Sequence, residues 1–126
     1  LAGGDLTVLL GPWSELGEQV AHRRDDRARA EWEAWAGIVP RERLVVELVS
    51  HLLGPREQGA GGLWRPGSTP HAARMAGLAA EGGWQCVLTN AVRYADREDA
   101  PTADVLDAAR RLVPLDARHV ERGNAE

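Results

Sequence analysis

Glu47 and His51 stand four residues apart at the end of an apolar run, Leu44 to Val49. A carboxylate and an imidazole so placed can ligate a metal or relay a proton. The competing use of Glu47 is structural, bonded to a neighbouring helix or to an arginine. Arg93 beside Tyr94 offers a donor fork for phosphate, against the plainer reading of a surface Arg next to a half-buried Tyr. His22, His71 and His119 lack zinc-like ligand spacing and read as solvated. Cys86 begins an apolar run without a flanking base, which reads as a core thiol and not as a nucleophile. Trp32 and Trp35, three apart, read as packing residues before base-stacking ones. No GxxxxGK[ST], GxGxxG or GxSxG motif occurs, so the standard nucleotide-binding and hydrolase loops are excluded from this stretch.

In parallel α/β folds the reactive groups gather at the carboxyl ends of strands. That singles out Gly11 to Ser14, Glu47 to His51 and Asn90 to Arg93, and predicts that they cluster. Asp5 to Leu10 reads as a strand stopped by Gly11-Pro12, because proline removes a ladder donor. Ser14 suits a helix N-cap, and Trp32, Trp35 and Ile38 supply an apolar face, predicting two helices or one kinked helix that ends near Gly37 to Pro40. Leu44 to Val49 has the nearly continuous apolarity of a strand covered on both faces. Residues 54–68 form a Gly/Pro-rich loop insertion, pinned by Trp64. Thr69 as N-cap and Pro70 open a helix whose stripe is Met75 and Leu78 and whose stop is Gly82-Gly83. Cys86 to Thr89 is the third strand. Asp99 to Val113 is the last helix, with Val105, Leu106, Ala109, Leu112 and Val113 on one face.

The fold class expected is therefore α/β, with three parallel βα units. Three such strands leave two open edges, and the chain begins at Leu1 and stops at Glu126 without tail-like composition, which together suggest part of a larger barrel or sheet. Composition is that of a globular domain, 44% hydrophobic and 27% charged. The net charge of −4 argues against a broad phosphate-neutralising surface. All 15 basic residues are Arg, a coding bias and not a site. A single cysteine excludes an internal disulfide or a Cys-rich zinc site, and without a signal-like N-terminus or a membrane-length apolar run the expected compartment is the cytoplasm.

The string from Val87 to Asp116, VLTNAVRYADREDAPTADVLDAARRLVPLD, resembles the end of the PHP domain in bacterial DNA polymerase III alpha-type subunits, especially the error-prone paralogues. Upstream, LTVLLGPWSELGEQV resembles that family's strand-Gly-Cys-turn-helix phrase, RLVVELVSHLLG its Leu-Glu-Leu-x-x-His phrase, and TPHAARMAGLAAEGG the helix that follows. The likeness runs from about Asp5 to Asp116. It implies that residues 1–126 are the C-terminal portion of a single PHP domain, a partial (β/α)7 barrel with flanking units missing.

The same resemblance implies metal-ligand positions, and three fall here with changed residues. Pro12 stands where the family has Cys, and Ala91 and Arg93 where it has Asp and His. Proline and alanine carry no side-chain donor atom, and a guanidinium repels a divalent cation. The implied reading is a non-catalytic segment of a DNA-directed DNA polymerase acting in replication or translesion repair synthesis. Its partners are the rest of the polymerase chain, with DNA, dNTPs and the Mg2+ of the polymerase site bound outside this segment and no membrane contact. No catalytic or metal residues are expected here. Glu47, His51 and Arg93 are left as residual cavity residues, and Arg93 is expected to pair with a carboxylate such as Glu47. The competing readings are a PHP-type metal-dependent phosphoesterase, against which Ala91 and Arg93 count, and a stand-alone scaffold module.

Overall fold

The computed structural model describes residues 6–51, 63–90, 92 and 94–115. The chain divides into two compact units, residues 1–89 and 90–126. In the first unit β1 (Val8–Leu10), β2 (Leu44–Val49) and β3 (Gln85–Thr89) form a parallel sheet in the order β1-β2-β3. Helices α1 (Glu15–Ala21) and α2 (Asp25–Ala36) connect the first two strands, and α3 (Thr69–Gly82) precedes the third. The mixed α/β class and the parallel sheet agree with the sequence reading.

Each boundary has a local cause. β1 stops before Gly11-Pro12, and the Ser14 hydroxyl caps α1 by accepting the Gly17 N–H at 3.2 Å. The two-helix expectation holds, because Arg23 turns into the left-handed region at φ 58° and breaks the run before Asp25 and Asp26 open α2. Ser68, one residue earlier than expected, is the cap position of α3, with Pro70 in its first turn. β1 is shorter than the expected strand, since Leu6 and Thr7 are outside it and Asp5 lies outside the described residues.

Leu10, Leu44 and Val46 share one face of the sheet and meet Leu16 and Val20 of α1, Ala28 and Trp32 of α2, and Met75, Leu78 and Ala79 of α3 in one buried core. Trp32 stacks on Trp84 at a centroid distance of 4.5 Å, so its role is packing, as expected. On the surface Arg74 of α3 holds Asp25 of α2 and, at 2.9 Å, Glu81; Arg29 of α2 also pairs with Glu81. Such exposed pairs add little individually but tie two helices together. Trp64 donates its backbone N–H to the Ala21 carbonyl at 3.1 Å while Arg23 lies over its ring, so it pins the chain as expected. Residues 54–62 of the expected loop lie outside the described residues.

Several expectations are corrected. Cys86 is exposed and is not a core thiol, because β3 is an edge strand. Ile38 does not join Trp32 in the core and is largely exposed, beyond the end of α2. β2 is not fully covered on both faces: Val45 and Glu47 are half-buried, and Leu9, beside Val45 on the face away from the core, is 47% exposed.

In the second unit a short 3-10 turn (Arg97–Asp99) leads into α4 (Ala100–Arg111). The helix is shorter than the expected Asp99 to Val113, which puts Leu112 and Val113 of the expected face beyond its end; Val105, Leu106 and Leu112 are exposed, while Asp107 and Ala108 are buried. No helix among the described residues is long and apolar enough to cross a membrane.

Candidate functional site at the strand ends

Glu47 is set by strand alternation. Its neighbours Val46 and Leu48 pack toward the helices, so Glu47 projects from the opposite face of the sheet. There the Thr89 hydroxyl of β3 donates to Oε1 at 2.7 Å. On the other side the carboxylate lies against Gly11, at the place where a Cβ on that residue would sit. Glu47 thus spans the end of all three strands, and the structural use weighed for it is realised through a hydroxyl of the neighbouring strand.

His51 follows the end of β2 and donates its backbone N–H to the Gly67 carbonyl at 2.9 Å. Its ring faces that of Trp13 at a centroid distance of 6.4 Å. The Ser50 and Thr69 hydroxyls are 3.2 Å apart, and the Ser14 hydroxyl donates to the Gly11 carbonyl at 2.7 Å. Two of the three segments expected to cluster, Gly11 to Ser14 and Glu47 to His51, are therefore brought together. Ala91 and Arg93 of the third lie outside the described residues, and so does the expected pairing of Arg93 with Glu47. Tyr94 is half-buried, as the plainer reading had it.

Gly67 to Thr69, which complete the cluster, were read from sequence only as loop and helix start. His71 is a second omission and a correction. It is fully buried, not solvated, and its Nε2–H donates to the Gly17 carbonyl at 2.8 Å. The sequence signal was its spacing, four residues before Met75 and seven before Leu78, on the buried stripe of α3. Burial pushes its pKa below the ordinary imidazole value, partly offset by the hydrogen bond to Gly17. His22 keeps a local role, its Nδ1 meeting the Glu18 carbonyl at 2.8 Å. His119 lies outside the described residues.

A cleft of about 410 Å3 opens beside this cluster, walled by Pro12, Trp13, Trp64 and Pro66, with Glu18 and His22 on its border. The described residues do not fit a multi-metal cluster. Pro12 is a buried ring with no side-chain donor, Glu47 is engaged by Thr89, and no three of the described His, Cys, Asp and Glu residues converge on one point. What the arrangement does is hold the strand ends together through one carboxylate and several hydroxyl and backbone hydrogen bonds. No protein-family model, curated protein or solved structure matches the chain.

Proposed function

We propose that this chain is a non-catalytic PHP-type segment of a DNA-directed DNA polymerase of the error-prone alpha type, acting in replication or translesion repair synthesis. One observation carries the reading. The phrases around Gly11 to Ser14 and Glu47 to His51, which resemble the PHP family's strand-end phrases, meet at the carboxyl ends of consecutive parallel strands, where a PHP barrel would require them. Pro12 supports the loss of metal chemistry, since a buried ring occupies the position of a thiolate.

In this reading the segment is a structural support. The parent chain's polymerase site, lying elsewhere, binds DNA, dNTPs and Mg2+. The coding sequence on either side of this segment tests the assignment. Several hundred further codons with an Asp-x-Asp-type polymerase motif in the same frame are expected, and an intact His-x-His phosphoesterase phrase without polymerase sequence would overturn it.

A further inference from the structure

We propose that His71 is an acid-sensitive lock between α1 and α3, whose protonation loosens α1 and with it the Pro12–Trp13 wall of the cleft. The tautomer follows from the bond it makes. The Gly17 carbonyl only accepts, so the proton sits on Nε2 and Nδ1 is left as an acceptor. Nδ1 is buried and has no hydrogen-bond partner among the described residues. Adding a proton there places a charged N–H in the core without an acceptor, which a buried site tolerates poorly.

The residue it holds has no slack. A Cβ on Gly17 would overlap the Pro12 carbonyl oxygen and stand 2.5 Å from that of Gly11, so the first turn of α1 is pressed onto the β1–α1 turn. Gly11, Pro12, Gly17 and His71 therefore form one stack from the strand end to α3. Pro12, Trp13, Glu18 and Ala21, from the same turn and helix, line the cleft, so movement of α1 reshapes it. The Ser68 hydroxyl, one helical turn before His71, is also buried without a hydrogen-bond partner among the described residues.

Among the described residues, the neighbouring titratable groups do not supply the missing acceptor. Glu15 and Glu18 of α1 are exposed, Glu47 of β2 projects from the opposite face of the sheet, and Cys86 of β3 is exposed. Arg74 of α3 is paired with Asp25 and Glu81, and His51 lies against Gly67. Burial lowers the His71 pKa, and the hydrogen bond to the Gly17 carbonyl offsets only part of that.

Hydrogen exchange and folding equilibria measured on the chain from about pH 7.5 down to about pH 5 test the lock. Because the folded pKa lies below the unfolded one, stability is full above the unfolded pKa. It falls through the window between the two, by up to about tenfold in the folding constant per pH unit. Amides of residues 11–21 should lose protection before those of α2. His71→Gln, whose amide can still donate to Gly17 but cannot titrate, should abolish this slope. Retention of the full slope in that variant would overturn the proposal. If the variant does not fold, imidazole nitrogen resonances of the wild type decide. A neutral Nε2–H ring persisting well below the ordinary imidazole pKa is expected, and ordinary titration with unchanged protection of α1 would refute the lock.

Discussion

Helices α3 and α4 are built to the same plan and used in opposite ways. Each carries a proline in its first turn, and each ends on a residue in the left-handed region, Gly83 at φ 65° and Leu112 at φ 52°. Each has an apolar stripe at helical spacing. In α3 the stripe of Met75 and Leu78 is buried in the core. In α4 Leu106 is 65% and Leu112 92% exposed, while the charged Asp107 is buried, with Arg110 at 3.6 Å. Periodicity thus specifies that a helix has a face, and the elements around it decide whether that face is a core.

The sharpest way to break this contrast is to remove matched apolar side chains. Met75→Ala should cost about 2–5 kcal/mol by opening a cavity in the core. Leu106→Ala should change stability by less than about 0.5 kcal/mol, since its side chain already meets solvent. Chemical denaturation of both variants checks this, and equal losses would mean that the α4 stripe is buried.

A smaller effect tests the strand ends. Thr89→Val removes the hydroxyl that donates to Glu47 while keeping the β-branched shape, and should cost about 1 kcal/mol, read in the same denaturation experiment. The Thr89→Val, Glu47→Gln double variant should lose less than the sum of the single losses, because the two side chains share one interaction.

The helix ends give a reciprocal pair. Gly83→Ala should cost about 1 kcal/mol and Leu112→Gly should gain about 0.5–1 kcal/mol, because only glycine adopts positive φ without a steric penalty. Thermal midpoints should move in opposite directions.

The smallest effect concerns the ion pairs between α2 and α3. Arg29→Ala should change stability by less than about 1 kcal/mol, and less again at high salt. Arg74 and Arg29 hold the Glu81 carboxyl below its ordinary pKa, so its small contribution is present at neutral pH and lost as pH falls through the folded-state value. A Glu81 carboxyl titrating at the ordinary glutamate value by NMR would contradict the pairing.

Much of the fold could be read in the sequence because its signals were local. Pro12 had to end β1, Ser14 was a cap, the β-branched run at Leu44 to Val49 was a strand, and Pro70 with Gly83 bounded α3. The misreadings concern what lies across space. Cys86 looked buried until β3 proved to be an edge strand, and the single apolar face read for α4 carried no sign that Val105 and Leu106 would be exposed. The strand-end site was half legible: the parallel topology placed Gly11 to Ser14 beside Glu47 to His51. The bond from Thr89 and the approach of Gly67 depend on register and on how the chain returns after β2, which no local pattern encodes. His71 was missed because histidine was weighed as a metal ligand or a solvated group. Its spacing with Met75 and Leu78 already placed it on the buried stripe.

The central proposal is that the chain keeps the strand ends of a PHP-type fold without its metal chemistry. The most direct test is the metal content of the purified full-length protein after equilibration with zinc or manganese and removal of free ion, comparing wild type with Glu47→Gln and His51→Ala. The account predicts no stoichiometric metal dependent on either residue. Stoichiometric zinc or manganese that disappears in either variant would contradict it.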